Sequence, residues 1–296
     1  MSLNLAENTI SHPPARRVAP ADLTSSQANK LAQTILTGGL SSSAWQMLDR
    51  LAMGGVLGTW QLCQPPLSAR AIRNYASQYL ITRLPFQSAQ LEAAFQEYGL
   101  FFAPETSLYI LGPVGVEIVK MRHETTPLTG YLAYPLKRIM HDVLTNEIIL
   151  RIATSAQASG WQATWLNKYE ATLAQEGQAV LEPDGMVRLR KGEAERLFCV
   201  EYHNEDHQTR AWQKVTTYES VFHKTELWQK HWDTEEFPKV LAVFAKPIVS
   251  KGYEYSLKNR ESQRVQYYGK LLIGVLTDQL PEWKQFGTGV RENLWG

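Results

Sequence analysis

From Ser42 the apolar positions recur every three or four residues, at Trp45, Leu48, Leu51 and Ala52. That period lines one face of a helix, and the serines ahead of it supply its cap. The segment Val56–Cys63 reads as a second short helix with a Thr59 cap, ending before Pro65 and Pro66. Ser68 opens a third, in which Ile72, Ala76 and Leu80 form the inward stripe. Leu80–Leu84 then has the composition of a short strand, and Gly99–Ala103 with Thr106–Leu111 that of a β-hairpin. Three helices followed by a hairpin predict a winged helix-turn-helix over residues 41–125. Its third helix turns Arg70, Arg73 and Asn74 away from the apolar stripe, and residues 68–83 hold three arginines, Arg83 included, and no acid. Such a helix suits the major groove of duplex DNA, although many winged helices serve only to pack against proteins.

A further helix starts at Gly112, and residues 125–129 read as a linker. Leu136–Ala153 is strongly periodic and carries His141 and Asn146; a lone histidine on such a helix is more often packed or capping than a ligand. Beyond Gly160 the pattern turns to strands, at residues 162–165, 186–190, 196–203 and 239–245, with helices at about 209–228 and 261–275. Strand, strand, helix, strand, helix is an α/β order, so the chain as a whole reads as α+β with an α/β domain over residues 130–296. Residues 1–40, with Pro13-Pro14, Arg16-Arg17 and Gly38-Gly39, read as a mobile arm.

A chain of 296 residues is long enough for two such domains. Thirty basic against twenty-nine acidic side chains leave a net charge of +1, which excludes a protein that coats DNA through a global positive field; any such contact is local. The longest apolar runs fall far short of the roughly 20 residues that span a bilayer, so no membrane partner is expected. The first residues lack the charged-then-apolar order of a signal peptide, which points to the cytoplasm. Cys63 and Cys199 sit in apolar surroundings and are expected to pack as small hydrophobes.

The chemistry concentrates between Leu181 and His203. Residues two apart on a strand face one way, so Glu201 and His203 point together and Tyr202 faces the opposite side. With Asp184 delivered ahead of the preceding strand, two carboxylates can hold Mg²⁺ or Mn²⁺ against a phosphodiester. Glu170 could add a further acid. On the helix that follows, Arg210, Lys214 and Tyr218 are four apart and share a face, with Gln213 beside them, a surface that can grip a phosphate or lie solvated. Nuclease cores of this shape carry a lysine where this chain has His203, a weaker electrostatic clamp that could act as a base or metal ligand; Lys214 could supply the missing charge if it reaches the site. The cluster His203, Glu205, Asp206 and His207 reads as a solvated strand-to-helix loop. Phosphate loops, nucleophile elbows and zinc cysteine pairs do not occur in the sequence.

The order of helix-turn-helix, Leu108–Val116, His141–Glu147, Glu182-Pro-Asp-Gly185, Phe198–Tyr202 and a Lys214-x-x-x-Tyr218 helix resembles the replication-relaxation proteins over roughly residues 44–250. That resemblance implies a winged helix joined to a core similar to PD-(D/E)xK nucleases, a restriction-endonuclease-like domain, on a plasmid or other mobile element. It implies Asp184 and Glu201 as the metal carboxylates, and His203 departs from its lysine. The leading expectation is a DNA-binding protein acting in replication, its control or DNA transfer, with double-stranded DNA as partner and a nuclease-like domain that has parted from catalysis and needs no cofactor. A Mg²⁺- or Mn²⁺-dependent endonuclease with Asp184, Glu201, His203 and Lys214 in its site is the alternative. An adaptor among replication or conjugation proteins is a third reading, and pairing as a homodimer stays open.

Overall fold

The computed structural model describes residues 23–98, 106–123, 127, 129–205, 209–258, 263–277 and 282–296. Arg16-Arg17, the first strand expected for the hairpin, most of the linker, and Asp206 and His207 lie outside them.

The chain begins with α1 (Ser25–Gly38), closed at its start by a capping box in which Thr24 and Gln27 exchange hydrogen bonds. Residues 1–40 were expected to form an arm, yet α1 buries Ala28 and Ala32 in the same core as α2 (Ser42–Gly54). Two alanines suffice because they let the helix backbone lie close to its neighbour. After α2 the expected second helix is instead β1 (Val56–Gly58) and a single 3-10 turn, Thr59–Gln61. The β-branched and apolar pair Val56-Leu57 is fully buried, and pairing in a sheet satisfies its backbone there. Then come α3 (Ala69–Ser77), capped by Ser68, β2 (Ile81–Arg83), α4 (Ser88–Glu97), β3 (Leu108–Leu111) and α5 (Pro113–His123). The strands form one antiparallel sheet in the order β1-β3-β2, with Val56 opposite Ile110 and Ile81 opposite Leu111.

The helix α6 (Leu136–Ala158) serves two cores. Ile139, Met140 and Val143 pack with Val56, Leu108 and Phe95 of the first lobe. Leu144, Ile148, Ile149 and Ile152 pack against the large sheet that follows. A helix apolar on more than one side has to be buried on more than one side. Polar groups on α6 close the seam: Asn146 Nδ2 donates to Gly54 O (2.9 Å) and Val56 O (2.7 Å), and Glu147 accepts from the Trp60 indole and the Gln61 amide.

The second lobe continues through β4 (Gln162–Leu166), α7 (Lys168–Ala171), the hairpin β5 (Leu173–Gln175) and β6 (Gln178–Leu181), β7 (Gly185–Lys191), β8 (Ala194–His203), α8 (Thr209–Phe222), α9 (Thr225–Trp232), β9 (Lys239–Phe244), α10 (Pro247–Lys258), β10 (Tyr267–Leu271), α11 (Leu272–Leu276), β11 (Glu282–Gln285) and β12 (Arg291–Asn293). Seven strands make a mixed sheet, β12-β11-β10-β9-β8-β7-β4, in which β8, β9 and β10 run parallel and the remaining neighbours antiparallel. The helix expected at 209–228 breaks at His223-Lys224 into α8 and α9. The helix expected at 261–275 is mostly β10 and α11: Tyr267 and Tyr268 face opposite cores, which a strand allows and one helical stripe does not. Both faces of β8 are covered, Phe198, Val200 and Tyr202 by the α6 side and Leu197 and Cys199 by the α8 to α10 side. Both cysteines are buried and unbridged. No helix among the described residues is long and apolar enough to cross a membrane.

Candidate phosphodiester site

Asp184 stands on the turn into β7. Gly185 lets that turn close on α6: a Cβ there would come within 2.5 Å of Ile149 Cδ1. Asp184 Oδ2 accepts from the Tyr202 backbone N–H at 2.9 Å and lies 3.6 Å from His141 Nε2. The same ring nitrogen lies 3.1 Å from Tyr202 O. Burial works against the Asp184 charge, but His141, Lys214 and the Tyr202 N–H outweigh it and hold the carboxyl below its usual range. Reciprocally, burial opposes a charge on His141, and Asp184 with Asp142 overcomes it, so the imidazole is raised above 6.5. His141 was expected to be a packed or capping residue, and it is a member of the cluster. Its partners in the cluster, Asp184 and Tyr202, are 43 and 61 positions away, so no local spacing brings them together in the sequence.

Glu201 is fully buried on the β8 face turned towards α8. Lys214 Nζ lies 2.9 Å from its Oε1 and 2.8 Å from its Oε2, and also donates to Glu182 O at 2.7 Å. Tyr218 Oη donates to Oε1 at 2.6 Å. Only the Oε1 contacts have hydrogen-bonding geometry, which leaves the buried Oε2 without an aligned donor. Burial pushes the Glu201 carboxyl up against the pull of Lys214, and the Asp184 charge adds to the rise. Lys214 is held above its ordinary value, since Glu201 and Asp184 together overcome its own burial. Lys214 and Tyr218 therefore share the face expected of them and meet Glu201.

His203 faces the same side as Glu201 and its field acts on Asp184 and Glu201, but its ring nitrogens are taken up elsewhere. It is buried, stacked on Phe244 at 5.5 Å between ring centres, with Nδ1 2.9 Å from Glu205 and Nε2 3.1 Å from the Tyr253 hydroxyl. Glu170 is also elsewhere in role: its carboxylate accepts from Asn167 N, completing the cap of α7. Gln213 is exposed on α8.

An open cleft of about 440 Å³ lies over Asp184 and His141. Lys137, Arg138, Lys168 and Arg210 line it, against Asp142 and Asp184. In a chain of net charge +1 this is a local concentration of positive charge. Larger concavities of about 1080 and 750 Å³ hold none of these groups, so size does not select the site. On the first lobe Arg70, Arg73 and Asn74 are exposed along α3 while Ile72 and Tyr75 are buried, and Arg83 is exposed at the end of β2.

Among the described residues no three His, Cys, Asp or Glu side chains converge as a metal cage. The set on hand is two carboxylates with the Tyr202 and Glu182 carbonyls nearby, hard oxygen donors of the kind Mg²⁺ accepts while keeping several waters. Lys214 Nζ already lies 2.8 Å from Glu201 Oε2, so an ion bound at that oxygen would have to displace the ammonium. No protein-family model matches this sequence, and no curated protein matches it.

Proposed function

We propose that this protein binds duplex DNA through two surfaces, α3 and the basic cleft over Asp184. The observation that carries the reading is the gathering of Lys137, Arg138, Lys168 and Arg210 around two carboxylates, Asp142 and Asp184, and one raised histidine. Cations so placed neutralise a phosphate backbone that passes between them. The first lobe supports the same reading. The helix α2, β1, the 3-10 turn, α3 and β2 follow one another as in a winged helix, with α4 set between β2 and β3, the strand order β1-β3-β2, and an acid-free α3 whose Arg70, Arg73 and Asn74 are exposed. In this reading α3 enters the major groove with Arg70, Arg73 and Asn74, and Arg83 meets the backbone. The order α6, β4, β7, β8, α8, β9 supports a nuclease-like second lobe, and with it the resemblance to the replication-relaxation proteins of mobile elements.

A second reading, metal-dependent cleavage, is favoured by Lys214. The positive charge missing at His203 arrives from α8 instead and sits on Glu201. Asp184 and Glu201 would hold Mg²⁺ or Mn²⁺, which supplies a Lewis acid and an acidified water. Lys214 and Tyr218 would hold the Glu201 carboxylate in place, and Arg210 and Lys168 would bind the phosphate.

One gel tests both readings. The wild type is expected to retard supercoiled plasmid without added metal, and Arg70→Ala/Arg73→Ala to retard it much less. Unaltered plasmid mobility with the wild type would refute DNA binding. Relaxation of the plasmid on adding Mn²⁺, lost in Asp184→Ala, Glu201→Ala and Lys214→Ala, is the mark of cleavage, and a plasmid that stays supercoiled leaves the protein a binder.

A further inference from the structure

A second polar hollow lies on the seam between the lobes and shares no wall residue with the basic cleft. Its volume is about 460 Å³, the size of a small-molecule site. Arg50 of α2, Trp60 and Gln61 of the 3-10 turn, and Gln64 form one side, and α6 from Glu147 to Ala158 forms the other. The one carboxylate on these walls is already committed. Glu147 Oε2 accepts from the Trp60 indole at 2.8 Å and the Gln61 amide at 2.9 Å, and its Oε1 accepts from Arg151 Nε at 2.8 Å. The rest of the polar lining is donors in search of an acceptor.

Arg50 stands out among them. It is half-buried, and its guanidinium makes one hydrogen bond among the described residues, from Nη1 to Gln61 O at 3.0 Å, and no ion pair. Burial pushes it below its ordinary value, and the counterweight is Cys63, not a carboxylate. A cation so placed has lost hydration without the return that an anion gives. Its remaining N–H groups share the hollow with the Gln64 amide and the Thr154 and Ser155 hydroxyls. Ser155 Oγ accepts from the Trp295 indole at 2.9 Å, which leaves its own O–H to donate. A planar guanidinium fork with hydroxyl and amide donors suits the oxygens of a phosphate. Trp60 and Leu150 add an apolar wall, and the volume leaves room for a body beyond the phosphate.

We infer that this hollow binds a small phosphate monoester, its phosphate held by Arg50 with Thr154 and Ser155 and its apolar body set against Trp60. The site is separate from the DNA-binding surfaces and does not rest on them. Because its walls come from the first lobe and from the helix that serves both cores, an occupant braces the seam.

Phenyl phosphate is the probe, titrated into the full chain by calorimetry at constant ionic strength, with benzoate and inorganic phosphate beside it and thermal unfolding followed in parallel. One phenyl phosphate is expected per chain, with a higher unfolding midpoint when bound. Arg50→Met, which removes the charge and keeps an apolar stem, is expected to weaken binding about tenfold or more, and Thr154→Val, at an exposed position, about threefold. Lys168→Ala/Arg210→Ala is expected to leave it unchanged. No binding by the wild type, or equal binding by Arg50→Met, would overturn the inference. So would a loss confined to Lys168→Ala/Arg210→Ala, which would put the ester in the basic cleft. Benzoate binding as tightly as phenyl phosphate would overturn the choice of phosphate, and inorganic phosphate binding as tightly would overturn the place of the apolar body. Should Arg50→Met fail to fold, Thr154→Val decides, and an unchanged affinity there counts against the site.

Discussion

The contact between Asp184 and His141 makes a prediction about stability that depends on pH. His141 is raised in the fold above its ordinary 6.5, through Asp184 and Asp142 against its own burial. A raised base contributes stability that is complete below the unfolded value and fades as pH climbs through the folded one. The wild type should therefore exceed His141→Ala in thermal stability most clearly below pH 6.5, and the difference should shrink as pH rises through neutrality. A gap that widens with pH would contradict the pairing. Legibility at this scale depended on local spacing. Glu201 with His203 followed from the two-residue strand period, and Lys214 with Tyr218 from the four-residue helical one. Whether Lys214 reached Glu201 depended on how α8 docks on β8, and the role of His141 on a contact between separate elements. Neither has a spacing in the sequence.

Among the elements, β7, β8, β9 and α6 were legible as sustained apolar runs of strand or helix length, although β8 and α6 are covered on more than one side. The short β1 was read as part of a helix, and β10 was absorbed into one, since brief segments such as Val56-Leu57 and Tyr267–Leu271 are too short to show either period. α1 was missed because its buried face is two alanines among polar residues. The helix α6 is the element on which both lobes depend. Its Asn146 amide is the buried donor for Gly54 O and Val56 O, and Asn146→Leu keeps the volume while leaving both carbonyls without it. The expected loss is about 2–4 kcal/mol in denaturant unfolding, from the usual ~1–3 kcal/mol for a buried polar group left unmet. A change under about 0.5 kcal/mol would show that the seam does not rely on this amide.

Across the whole molecule the charges nearly cancel, and the functional reading rests on where they lie. In the sequence the division of the chain falls at a linker over residues 125–129, and α6, which follows it, belongs to both cores. The basic cleft was not legible at all: Lys137 and Arg138 come from the first turn of α6, Lys168 from α7 and Arg210 from α8, and only the fold gathers them. The most direct test of the central claim is the salt dependence of duplex affinity for the wild type and for Lys168→Ala/Arg210→Ala. If the cleft carries the backbone, removing two phosphate contacts weakens binding and lowers the slope of log affinity against log salt by about 2. An unchanged slope with unchanged affinity would contradict the account.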